Sequence, residues 1–291
     1  MTKISDTVIK VYHRLKLDDK LDFSNIENSI DRLDVIGNDL QGEIEKLGYD
    51  PNHRVYTDYQ NLLSIFEEEI TVHRDFKFYN KQVLNFHKNY MPSFPPMSPV
   101  TNAYFAYWVL CDFQFGKNKE TINTIFSDVG EVEDFEEMIF KVGENLHQSH
   151  MKFYRHMGFQ DDLIILKDII SDEVYYCKSN SGYEGKKDEI WFIRIVPNLD
   201  KVHDYHLVIT TPYIILRNSV ADWVAFFKRQ GIEKGDPKME IKYRDFMKNS
   251  PSSNYWLEYL LDGYVNFQPH SIELTGIPDV SGSKPHEMDK L

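Results

Sequence analysis

The residues best suited to chemistry are two buried-looking charges and two pairs of histidines. Asp168 shares one face of a predicted strand with Ile164 and Leu166, and Arg194 shares a face of another with Ile190, Phe192 and Val196, because side chains alternate along an extended chain. A charge among apolar neighbours needs a partner, since burying it alone is costly. Two readings follow. Either Asp168 and Arg194 form a structural ion pair, or Arg194 points into a pocket and grips a carboxylate or phosphate bidentately. His147 and His150, three apart, could share a helix face as metal ligands do. His150 also continues an apolar stripe from Leu146 to Phe153, with no Cys or closely spaced carboxylate nearby, so a core or interface histidine is expected. His203 and His206 fall on opposite faces of a strand and cannot chelate together while it stays regular.

His73-Arg74-Asp75-Phe76-Lys77-Phe78-Tyr79-Asn80 matches the spacing of the protein-kinase catalytic loop. Its context is missing. No Gly-rich phosphate loop or strand lysine precedes it, Asp112-Phe113-Gln114-Phe115-Gly116 carries two extra residues for the metal-binding turn, and Phe76, Tyr79, Val83 and Phe86 fit a helical stripe, so the match is read as chance. No Gly-x-Ser-x-Gly elbow, Walker loop or dinucleotide fingerprint occurs. No catalytic set is assigned, and neither a metal nor a cofactor is expected.

The elements that position these residues divide sharply. Leu163 to Leu216 is the long segment with period-two hydrophobicity: strands at Leu163–Asp168, Val174–Lys178, Glu189–Val196, Tyr205–Thr210 and Tyr213–Leu216, with the polar loop Ser179 to Gly185 between the second and third. Four or five short strands with tight turns predict a small antiparallel barrel or curled sheet, since closure removes edges. Helices dominate elsewhere. Ile4, Val8, Val11 and Leu15 make one amphipathic stripe, Ser24 with Glu27 begins a second helix that ends near Gly48, and Tyr59 to Ile70 carries a third. After the proline-rich Met91 to Pro99, helices are predicted from Ala103 to Phe113, near Thr121 to Phe126, and from Phe135 through Met157 to Gly158. Asn218 or Ser219 caps a helix through Phe227, and Ser252 or Ser253 caps a last one through Leu261.

The expected fold is therefore α+β, mainly helical, with an inserted β module: helical region 1–158, β module 159–216, C-terminal helices 217–264 and mobile tail 265–291. The chain has 291 residues, 42% of them hydrophobic, enough for a sizeable core. Its 46 Asp+Glu against 33 Lys+Arg give a formal net charge of -13, which disfavours nucleic acid as a partner. Two cysteines are too few for a disulfide framework. No long apolar run or signal-peptide core occurs, so a cytoplasmic protein without membrane contact is expected.

Trp108 to Asp112, Gly116, Thr121-Ile122, Leu166-Lys167-Asp168, Gly185 and Glu189 to Pro197 look like a pattern in uncharacterised bacterial proteins. In those, a helical region precedes a small β domain, and some end in a Cys-rich SEC-C zinc motif. This chain lacks that motif. The resemblance covers roughly residues 105–216 and implies the helix-then-β order and a bacterial cytoplasmic setting, with no activity. From the residues, the expected function is binding of a protein partner, a second copy or nucleic acid through the β module, with Tyr183, Trp191, Asp168 and Arg194 as candidate contacts. The alternative is a hydrolase-type enzyme whose pocket lies between the helical region and the sheet and uses Arg194, Asp168 and one of His150, His203 or His206.

Overall fold

The computed structural model describes residues 3–17, 31–32, 50–71, 76–90, 99–179, 181–199, 204–249 and 251–285. They fall into two compact units, residues 1–85 with 106–148, and residues 86–105 with 149–291. Apart from Asp31 and Arg32, the predicted helix from Ser24 to Gly48 lies outside the described residues, as do His73 to Asp75, Met91 to Ser98 and His203.

Within the described residues the first unit is helical. Helix α1 (Ile4–Leu17) buries Ser5, Val8 and Tyr12, and α2 (Pro51–Thr71) buries Val55, Tyr59, Leu62, Leu63, Phe66 and Ile70, the spacing of one helical face. Helix α3 (Lys77–Tyr90) starts on the kinase-like stretch, whose Lys77 to Asn80 are helical rather than an irregular loop. Helix α4 (Pro99–Tyr107), which belongs to the second unit through Phe105, runs into a π-helical segment, Trp108–Asp112, in which all five side chains are buried. Helix α5 (Ile122–Glu133) opens with a capping box between Thr121 and Thr124, and α6 (Glu137–Gln148) follows. Phe126 meets Tyr59 and Phe66 edge-on at 5.9 and 5.1 Å. The Tyr59 hydroxyl donates to Asn123 Oδ1 at 2.8 Å, and Asn123 Nδ2 donates to the Gly143 carbonyl at 2.9 Å. A Cβ at Gly143 would stand 2.5 Å from the Tyr59 oxygen, so the buried polar chain requires glycine there.

In the second unit the predicted helix through Met157 does not form. α6 ends at Gln148, and Met151–Gln160 is strand β1. The strands β2 (Leu163–Asp168), β3 (Val174–Ser179), β4 (Ile190–Pro197), β5 (His206–Val208) and β6 (Tyr213–Leu216) follow. Helices α7 (Val220–Arg229), α8 (Met239–Asn249) and α9 (Tyr255–Gly263) come next, then β7 (Tyr264–Gln268) and β8 (Ser271–Thr275). Ser219 caps α7 through a box with Asp222, whereas α9 begins at Asn254 with no side-chain cap, not at Ser252 or Ser253.

The strands form one eight-stranded sheet in the order β1-β2-β3-β5-β4-β6-β8-β7, with β1 also paired to β4. The pairs β3–β5 and β6–β8 are parallel. The sheet is thus mixed, where an antiparallel barrel or curled sheet was expected from the spacing of the strands. The expected tail supplies two of its members, and its outer part is fastened by Arg229 to Asp279, with Nε–Oδ2 2.9 Å and Nη2–Oδ1 2.7 Å, and by Lys284 to Asp262 at 2.9 Å.

Strand β4 is buried on both faces, which explains its unbroken apolar run. Toward one side, Trp191, Ile193 and Ile195 cluster with Tyr154, Ile164, Leu166, Cys177, Val208 and Ile214. On the other, Phe192 packs on Trp256 of α9 at 5.4 Å and on Phe153 at 4.6 Å, and Phe153 stacks on Trp223 of α7 at 4.1 Å. Among the described residues no helix is long and apolar enough to cross a membrane.

Candidate functional site

Asp168 ends β2 and is fully buried. Its Oδ1 accepts from the backbone N–H of Ile170 at 2.8 Å and of Ser171 at 3.2 Å, shaping the turn into β3, as an aspartate does when it bonds backbone just beyond itself. Its Oδ2 lies 3.1 Å from Lys152 Nζ. The expected partner was Arg194. Strand register explains the difference: Asp168 pairs with Tyr154 and Lys152 with Ile193, on the face of the apolar cluster, while Arg194 pairs with Met151 on the opposite face. Lys152 also reaches Glu240 of α8 at 3.4 Å and lies 5.3 Å above the Tyr243 ring. Burial opposes its charge, but Asp168 and Glu240 prevail and hold its pKa above the ordinary lysine value.

Arg194 is 1% exposed, and its main chain is tied to the residues just after β5, the N–H donating to Thr210 Oγ1 at 2.9 Å and the carbonyl accepting from Ile209. Trp191 is fully buried, and Tyr183 is half-buried. Both bond Glu189: the indole N–H donates to Oε2 at 3.0 Å and the phenol to Oε1 at 3.1 Å, while the Lys186 N–H donates to Oε2 at 3.0 Å. Burial, then Glu189, push the Tyr183 hydroxyl up to about 12. The loop 181–189 thus folds down onto Trp191, with Gly185 so close that a Cβ there would meet the indole at 2.3 Å.

Asp168 and Arg194 stand on opposite faces of the sheet, and His203 lies outside the described residues. His150 follows α6 and meets the Tyr243 ring edge-on at 5.9 Å, and His206 meets Tyr175 at 5.0 Å. Burial lowers the His206 pKa against the opposing pull of Asp204. Among the described residues no group of three or more His, Cys, Asp or Glu is placed to hold a metal. One histidine that strand periodicity did not single out, His156, stands at the centre of the Trp191 loop. It lay inside a stretch read as helix, so its strand position carried no signal.

The surface of the module offers a different arrangement. On β2 and β3, away from the apolar cluster, Ile165 faces Tyr176, Lys167 faces Val174, and Gly158 of β1 flanks Ile165. Val174 is 49% exposed and Tyr176 37%, with Leu163 and Ile165 half-buried beside them. The cations around this strip carry carboxylate partners: Arg155 with Asp188 at 3.0 Å, Lys167 with Asp172 at 2.7 Å and Lys178 with Asp162 at 3.6 Å. Comparison with protein-family models, with curated proteins and with solved structures yields no match.

Proposed function

We propose that the chain is an interaction protein whose β module binds a protein partner through the outer face of β2 and β3. The observation that carries this reading is the exposure of Val174 and Tyr176 side by side on one rigid, register-fixed face. Adjacent exposed apolar side chains rimmed by charge are what interfaces use, and tyrosine is a favoured anchor. The paired cations and the net charge of -13 argue against a polyanion as the partner. Trp191, Arg194 and Asp168 are buried within the module and are not part of that exposed face.

The test places a photo-crosslinking amino acid at position 176 in the full chain, with and without Val174→Glu. A defined adduct, to another protein or to a second copy, that disappears with Val174→Glu is expected. No adduct, or one insensitive to Val174→Glu, would remove this face as the binding surface.

A further inference from the structure

His156 uses every polar group it has. Its backbone N–H donates to the Glu189 carbonyl at 2.8 Å, and its carbonyl accepts from the Asp188 N–H at 2.8 Å. Its ring Nδ1 accepts from the Gly158 N–H at 3.0 Å, and its Nε2 lies 3.0 Å from the Glu184 carbonyl. A backbone N–H can only donate and a carbonyl can only accept, so the ring is neutral, with its proton on Nε2. The β1–β2 register shifts between His156 and Gly158, where Gly158 has φ 113°. Such a bulge leaves a ladder position unpaired, and the histidine ring takes up the amide it frees.

We propose that His156 is a proton-operated latch: the neutral ring, bonded to Gly158 and Glu184 together, holds loop 181–189 closed over Trp191, and protonation releases that loop. A second proton goes onto Nδ1, the atom that accepts from Gly158, and sets two N–H groups head to head. The ring turns to part them, and that movement takes Nε2 away from the Glu184 carbonyl. Glu184 is the loop's anchor to the ring, next to the Gly185 that lies on Trp191. Opening uncovers the indole and Tyr183, beside Phe159, whose ring already stands 5.0 Å from His156 and is 48% exposed, and so creates an apolar patch in acid that is covered at neutral pH.

The groups facing the ring set the pH at which this happens. From the loop, the Glu184 carbonyl first, then Glu189 and Asp188, favour the cation, although Asp188 is already held by Arg155, the neighbour of His156 on β1. From β1 and β4 come only the rings of Phe159 and Trp191, at 5.0 and 5.4 Å, and β2 places Leu166 opposite. Burial outweighs all three and lowers the pKa from its ordinary value. For a depressed histidine, the closed loop is fully stable above the ordinary value of about 6.5 and loses stability as pH falls through the lower folded value. The latch does not rest on the outer face of β2 and β3, so the two readings stand or fall separately.

The test is hydrogen exchange of the full chain from pH 7.5 to 5.0, corrected for intrinsic exchange, on wild type, His156→Gln and His156→Asn. Wild type is expected to lose protection across 181–189 in acid, by up to about tenfold per pH unit, the limit for one linked proton, while the rest of the sheet stays protected. Neither variant can take the proton, so both are expected to exchange independently of pH in this segment. A pH-independent wild-type loop, or variants that follow wild type, would overturn the latch. Should both variants fail to fold, NMR of wild type decides: the His156 ring and the Gly185 and Asp188 amides titrating with one midpoint support it, and separate midpoints refute it.

Discussion

Lys152 and Asp168 show what a buried charge requires at the scale of one residue. The carboxylate is satisfied by two backbone N–H groups and one ammonium, and the ammonium by two carboxylates, so removing either partner is not symmetric. Lys152→Met leaves Asp168 buried without a cation and is expected to cost about 3 kcal/mol in chemical denaturation. Asp168→Asn leaves Lys152 its contact with Glu240 and keeps an oxygen for the Ile170 and Ser171 amides, so a smaller loss is expected. Equal losses would show that Glu240 gives Lys152 nothing. Because the Lys152 pKa is raised in the fold, this contribution is complete below the unfolded lysine value of about 10.4 and is lost as pH rises through the folded value. Lys152→Met should therefore flatten the alkaline limb of stability against pH.

At the scale of elements, a helix is often held by residues far away in sequence. The N-terminus of α1 is received by Glu120, whose Oε2 accepts from the Ile4 N–H at 2.8 Å and Oε1 from the Ser5 N–H at 3.0 Å. A carboxylate there satisfies orphan amides and meets the positive end of the helix dipole. Glu120→Gln turns an N–H donor toward one of those amides and is expected to cost about 1–2 kcal/mol, read as faster hydrogen exchange in the first turns of α1. Unchanged exchange there would show that packing alone holds the helix. Of the expected α1 stripe Val8 is buried, and this cap was not legible in the sequence, because Glu120 lies 115 residues beyond Ser5. The same limit produced the error at β1: Leu146, His150, Phe153 and Met157 keep helical spacing, yet Phe153 fits a strand equally well. Pairing with β2 and β4 decides for the strand.

For the whole molecule, the C-terminal hairpin is a structural member of the sheet. Ile272 and Leu274 of β8 are fully buried and pair in parallel beside Tyr213 and Ile215 of β6. Truncation after Gly263 uncovers the β6 edge and apolar area on the face beneath α9, and each lost buried side chain removes about 1.5–3 kcal/mol. The truncated chain is expected to aggregate or lose its cooperative thermal transition. A monomer with an unchanged Tm would mean that β7 and β8 add nothing to the fold.

What the amino-acid order determined by itself was local: the α+β class, the stripe of α2, a cap at Asn218 or Ser219, and the apolar run of β4. Those follow from periodicity and capping chemistry that operate within a few residues. The tertiary structure alone decided which strands are neighbours, that residues 264–275 join the sheet, and that Asp168 meets Lys152 instead of Arg194. It also decided the candidate sites. Val174 and Tyr176 read as ordinary strand residues until pairing showed their face uncovered, and His156 gained its bonds from a bulge and a loop 28 residues away. Pairing between distant strands is set by the burial of both faces of β4, a property of the assembled sheet that no stretch of sequence carries alone.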